Sequence, residues 1–388
     1  MRVGIIVMGN NVGGVEKRFA HLFSFLQSNH RTCSEFCLFI PEGLLAKLRN
    51  QRLLVSNDRN IISIFRDFPY SIYSMLPEMK VRGRRVPGTT LALLPLWRRE
   101  LKRLQSSFAQ FDILHFCPPH PVLLMPKGVP VLLEEPNSMS ARKINPMVFN
   151  WLSKGSYISC LTESIADAYK RRISHPALLQ KIFVAPCSFT DYSRISVSSK
   201  ERTIVFMARM EKIKNPVVFI DAIEILSRKR SDFNALMLGS GNMDRLVDNL
   251  IVKKGLNAIM SRFYSVAPQQ ILSKAAVFVS LQEYDNYPSQ ALLEAMASGC
   301  AVIASDRGET RKLVTEDVGF CVPLSAAEIA ERLDQMLDQF DRTVEMGMQA
   351  REKVLREHTI HRYAGYLLNV YEIMREREKF SRYADKRH

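Results

Sequence analysis

Short apolar runs alternate along this 388-residue chain with polar or glycine-bearing turns and with segments of helical periodicity. In the first half the runs are Val3–Met8, Cys37–Ile40, Ile61–Ile64, Ile113–Phe116, Val129–Glu134 and Tyr157–Thr162, with a helix over about Val15–Gln27. The second half repeats the alternation with Thr203–Ala208, Asn234–Leu238, Ile259–Tyr264, Ala276–Leu281 and Ala301–Ala304, with helices near Val217–Ser227 and Met243–Lys253. Runs apolar throughout belong to strands covered on both faces, and parallel neighbours need a crossover that a helix supplies. The chain also exceeds the size that one hydrophobic core usually serves. The loop-like stretch 186–199 falls between the two series. The expected architecture is therefore α/β, with doubly wound Rossmann-like domains over 1–190 and 200–360. The amphipathic segment 361–388 is expected as a C-terminal helix returning to the first domain.

Composition narrows the setting. No run approaches the roughly 18 uncharged apolar residues of a spanning helix, and Arg2–Met8 reads as a first strand rather than a leader. Seven cysteines without an export signal suit reduced thiols in a cytoplasmic protein, and none has metal-finger company. Charge is lopsided: residues 1–200 hold 27 Lys+Arg against 13 Asp+Glu, and residues 201–388 hold 27 against 26. The basic excess peaks between Arg66 and Arg103, where cations alternate with aromatic and aliphatic residues. That pattern suits peripheral contact with an anionic membrane surface, or else a solvated helix face beside an ordinary core stripe. No nucleic-acid module accompanies it, so nucleic acid is not expected as a partner.

Five turns carry candidate chemistry. Glu294 lies in the apolar run from Ser289 to Ser298, closed by Gly299; an unpaired carboxylate there would be costly, and a helix opening beside Pro288 offers free amides to a phosphate or hydroxyl-rich ligand. Arg209 and Lys214 follow the first strand of the second half, where guanidinium and ammonium together suit a diphosphate. Gly239-Ser-Gly241 ends the next strand, and Ser305-Asp-Arg-Gly-Glu309 follows a later one. Gly13 and Gly14 sit between the first strand and first helix, leaving amides for anionic groups; the spacing departs from the dinucleotide pattern G-x-G-x-x-G. Since ligands of doubly wound sheets bind beyond the carboxyl ends of the strands, these loops should converge on one site.

Arg209, Lys214, Gly239, Gly241 and Glu294-Ala-Met-Ala-Ser-Gly299 together resemble the family 4 retaining glycosyltransferases of the GT-B fold; Gly13-Gly14-Val15-Glu16 and Asp112-Ile-Leu-His115 extend the resemblance into the first half. It implies two Rossmann-like domains facing across a cleft and transfer of a hexose from a UDP- or GDP-linked sugar to an acceptor hydroxyl, with retention and without a metal or cofactor. It assigns the donor diphosphate to Arg209 and Lys214, the ribose to Glu294, and donor contacts to Gly13, Gly14, Gly239, Gly241, Asn286 and Ser289. The family's second acid falls on Glu283, Asp285 or Asn286, with Asp285 favoured by the Asn-Tyr-Pro that follows it. His115 and His120 are candidates for contact with sugar or acceptor. The acceptor expected at the basic first domain is a saccharide, lipid-linked at the inner membrane face in cell-surface polysaccharide synthesis. A sugar-nucleotide epimerase and a non-catalytic binding protein are the alternatives on the same fold.

Overall fold

The computed structural model describes residues 1–9, 12–29, 35–54, 58–65, 78–81, 84–117, 125–135, 146–189, 195–285 and 287–385. Its first unit comprises Met1–Pro186 with Ile360–His388, and its second Cys187–Thr359. The first contains β1 (Arg2–Val7), β2 (Glu35–Pro41), β3 (Ile61–Ile64), a hairpin of β4 (Glu78–Val81) and β5 (Arg84–Pro87), β6 (Ile113–Cys117), β7 (Val131–Glu135), β8 (Ser156–Cys160) and β9 (Ile182–Val184). Apart from the hairpin these strands form one parallel sheet of order β3-β2-β1-β6-β7-β8-β9. The order reverses between β1 and β6, whose register pairs Ile5 with His115.

The helix Ile360–Asp385 belongs to this unit, and three tyrosine hydroxyls seat it on three successive strands. Tyr363 donates to Glu134 of β7 at 2.6 Å, Tyr366 bonds Ser159 of β8 at 2.9 Å, and Tyr371 bonds His115 Nδ1 of β6 at 2.7 Å. The helix Gly88–Phe108, which carries the end of the basic stretch, turns Trp97, Leu104 and Phe108 into the core and Arg98, Arg99 and Lys102 outward. Over its described side chains it is thus an ordinary core stripe with a cationic outer face.

The second unit holds β10 (Glu201–Met207), β11 (Asn234–Leu238), β12 (Met260–Phe263), β13 (Ala275–Ser280), β14 (Ala301–Ser305) and β15 (Gly319–Val322) in a parallel sheet ordered β12-β11-β10-β13-β14-β15. Period-2 alternation sorts its core: Ile204 and Phe206 of β10 pack on one face with Phe219 and Ile223, while Val205 packs on the other with Leu292, Leu293 and Met296. Burying each of those last three side chains contributes roughly 1.5–3 kcal/mol, which holds the helix Gln290–Ala297 to the sheet. Strand order reverses here between β10 and β13. Among the described residues no helix is long and apolar enough to cross a membrane.

Candidate active site

The loops after β10, β11, β13 and β14, all at the carboxyl ends of the second sheet, are bonded to one another in series. Beyond β10 the chain runs through Arg209 and Met210 into a short 3-10 turn, Lys212–Lys214. Met210 N–H donates to Ser240 C=O at 3.2 Å, and Met243 N–H donates to Met210 C=O at 2.9 Å. Gly239 has φ +133°, and a Cβ there would strike the carbonyl oxygen of Ala208; one at Gly241 would crowd the Met210 backbone. These glycines therefore let two loops close on each other backbone to backbone, a use different from ligand approach.

Lys214 links the first loop to the one after β13. Its Nζ donates to Gln282 Oε1 at 2.6 Å, and Glu283 N–H donates to Ile213 C=O at 3.0 Å. Burial and the neighbouring Arg209 push the Lys214 ammonium down to about 8, against an opposing pull from Glu211. Arg209 lies differently: its side chain is 68% exposed and pairs with Glu211 at 2.6 Å. An exposed pair of this kind contributes little, so the guanidinium can exchange its partner for a phosphate at small cost.

The loop after β13 is joined in turn to β14. Ser305, 1% exposed, accepts from Gln282 N–H at 2.8 Å and donates to Gln282 C=O at 3.0 Å. The Asp285 carboxylate accepts from Tyr287 N–H at 3.1 Å and lies so close to Gly308 that a Cβ there would collide with it. A small hydroxyl-bearing hollow, lined by Ser280, Ser289, Ser305 and Thr310, lies where the Gln290–Ala297 helix begins. Ser289 caps that helix, its Oγ accepting from Leu292 N–H at 3.2 Å, so the hydroxyl expected to meet the donor serves first as the N-cap. Glu294, alone among Leu292–Ala297, stays partly exposed, on the same helical face as Gln290. At the far end of the helix Lys200 Nζ bonds Ser298 C=O at 2.7 Å and Arg351 Nη1 bonds Ala297 C=O, cations where the helix dipole favours them.

The structure therefore brings Arg209, Lys214, Gly239, Gly241, Glu283, Asp285, Ser289 and Glu294 to one end of one sheet, at its topological switch point. Asn286 and His120 lie outside the described residues. The first unit departs from expectation at two places. Gly13 N–H is not left for an anionic ligand, because the Glu16 carboxylate accepts it at 3.0 Å; burial raises the Glu16 carboxyl above its ordinary value despite this bond. Gly14 opens the helix Gly14–Asn29 and is exposed. His115, a candidate sugar contact, is fully buried: Nδ1 is bonded to Tyr371, Nε2 stands 3.7 Å from Glu134, and the ring meets Phe19 edge-on. It is a core histidine, placed inward by its position in the middle of β6. Gln282 went unnoticed in the sequence, where a neutral polar residue after a strand carries no signature.

Two parallel-sheet Rossmann-like units of this kind make up the GT-B fold, and known proteins share it. Residues 189–353 match the family model of the glycosyl transferases group 1. It is 22% identical over 357 residues to a phosphatidyl-myo-inositol mannosyltransferase of Mycobacterium tuberculosis, covering 86% of this chain and 93% of the relative. A D-inositol 3-phosphate glycosyltransferase of Corynebacterium kroppenstedtii is 28% identical over 183 residues, 43% of this chain and 40% of that one. Among solved structures, Anabaena Alr3699/HepE in complex with UDP and glucose superposes with a TM-score of 0.72 at 13% identity, over 95% of this chain and 99% of that chain. TarM superposes with a TM-score of 0.72 at 12% identity, over 95% and 98%.

Proposed function

We propose that this glycosyltransferase moves a hexose from a UDP- or GDP-linked sugar to an acceptor hydroxyl with retention at the anomeric carbon. The observation that carries the reading is the bonded series of strand-end loops that presents Arg209 and Lys214 at the switch point of the second sheet. In this reading both cations hold the donor diphosphate, and the charge that grows on it as the glycosidic bond breaks meets groups already in place. They perform the neutralisation that a metal would otherwise supply. Glu294 accepts from the ribose hydroxyls, and Asp285 meets the sugar.

The acceptor we propose is a saccharide or polyol on a lipid anchor, made into cell-envelope glycan at the cytoplasmic membrane face. The mannosyltransferase relative, named for a phosphatidylinositol substrate, and the cationic outer face at Arg98, Arg99 and Lys102 support it.

Turnover of UDP- and GDP-sugars, read as released nucleoside diphosphate, tests both parts. Arg209→Ala, Lys214→Ala and Glu294→Ala should each lower it by roughly 10²–10³-fold with melting temperatures unchanged. Wild-type turnover in any of the three removes that residue from the site. Equal turnover on a water-soluble saccharide and on the same saccharide lipid-linked in anionic vesicles removes the membrane part.

A further inference from the structure

Lys214 carries a positive charge at the site, yet its ammonium is partly buried and flanked by a second cation, Arg209. A flexible side chain so placed turns outward to water unless a partner fixes it. The partner is neutral. Gln282 Oε1 accepts from Nζ at 2.6 Å, and Gln282 itself is not free to move, because the Ser305 hydroxyl bonds both its N–H and its C=O. One side chain of β14 thus fixes the backbone of the loop after β13, and that loop fixes the cation of the loop after β10. Each step crosses to the neighbouring element at the switch point.

We propose that Gln282 is a positioning residue of the donor site: clasped by Ser305, it holds the Lys214 ammonium where the nucleoside diphosphate binds. The inference rests on the donor reading above and adds to it a residue and a dependence on pH. A carboxylate at position 282 would grip the lysine more firmly but would compete with the phosphates; an amide orients the ammonium and leaves its charge for the ligand. Among the described residues, Arg209 and Glu211 on its own loop act on the Lys214 charge, Lys212 shares its 3-10 turn, and Glu283 follows Gln282 on the loop after β13. Ser305 reaches it only through Gln282.

The sign of the pH dependence follows. The free Lys214 is held near 8, and an anionic donor raises it by favouring the charged form. Binding therefore takes up a proton above that pH. Donor affinity is full below about 8 and falls as pH rises through it.

Calorimetric titration of the full chain with UDP and with GDP, from about pH 7 to about pH 10, tests this against the ordinary lysine value. The wild type should show affinity falling above about pH 8 with proton uptake in that range. Gln282→Ala removes an acceptor that favours the ammonium, so the fall should move to lower pH and affinity at neutral pH should drop about tenfold. Gln282→Glu adds a negative charge and should move the fall to higher pH. Ser305→Ala, which loosens Gln282 without touching Lys214, should move it in the same direction as Gln282→Ala and by less. A fall that stays in place in the two Gln282 variants, with only the melting temperature altered, overturns the proposal and makes Gln282 structural. Lys214→Ala separates the two levels: wild-type affinity in that variant sinks the donor reading itself, whereas weakened affinity there with unchanged Gln282 variants sinks only the inference.

Discussion

Each unit places a basic residue near the carboxyl end of its sheet, and the two are treated in opposite ways. In the first unit Arg18 is buried and bonds Glu134, itself fully buried, at 3.0 Å; the guanidinium also lies over the rings of Phe19 and Tyr363. Burial alone would push the Glu134 carboxyl up, but His115, Arg18 and the Tyr363 hydroxyl outweigh it and hold the group below the ordinary carboxylate value. In the second unit Arg209 is mostly exposed and Lys214 has a neutral partner. The buried cluster uses its charge inside the protein, joining the C-terminal helix to the sheet. The strand-end pair keeps its charge for a ligand. A conspicuous ionic residue is thus a poor guide to function until its partners are known, and partners, more than burial, separate the two roles.

The largest effect that sharpens this contrast falls on the buried pair. Glu134→Ala removes the carboxylate bonded to the buried Arg18, and breaking a buried pair on one side should cost about 3–5 kcal/mol. Chemical denaturation should show that loss, together with release of the Ile360–Asp385 helix as increased amide exchange. Folded protein of the variant should bind UDP or GDP as the wild type does. A stable Glu134→Ala variant that has lost nucleotide binding would mean that the cluster is functional and the contrast mistaken.

A smaller effect, on both stability and binding, is expected at Gly239. Alanine there meets the Ala208 carbonyl and adopts φ +133°, where L residues are strained, so about 1–3 kcal/mol should be lost. Because the contact joins the loops after β10 and β11, the displacement passes to Arg209 one residue away. Nucleotide affinity should therefore fall by more than the lost stability alone would produce. Thermal unfolding and calorimetry on one sample compare the two directly, and unchanged affinity in a destabilised protein would leave Gly239 a purely structural turn.

Much of this was legible in advance because the signals were redundant. Both parallel sheets announce themselves in largely apolar strands such as Ile113–Phe116 and Ala276–Leu281. β9, only three residues long, and β15, which opens on Gly319, did not. At the candidate site, residue type combined with a strand-end position pointed to Arg209 and Lys214, and a carboxylate within an apolar run pointed to Glu294. The same rule misread His115, because a histidine within a strand and one at its tip look alike without the register that sets Ile5 beside it. Gly13 and Gly239 were legible as tight places but not as to what fills them: the Glu16 carboxylate in one, the Ala208 carbonyl in the other. Gln282 stayed hidden, and Ser305 showed only as the first residue of a polar turn, for a related reason. Their importance lies in whom they bond, and the partners stand 68 and 23 residues away.

The smallest effect is the most discriminating, because it alters the buried cluster without changing its charge. Tyr371→Phe removes one hydroxyl and leaves His115 Nδ1 buried without its 2.7 Å partner. A buried group deprived of its partner costs about 1–3 kcal/mol, and the low end applies where a histidine tautomer can adjust. Stability should drop by that amount, while the affinity for UDP or GDP and its dependence on pH stay as in the wild type. The pH profile is the decisive reading, since it reports Lys214 in the other unit. If Tyr371→Phe moves the fall near pH 8, the buried cluster and the strand-end cations are energetically coupled, and the division between internal and available charge fails.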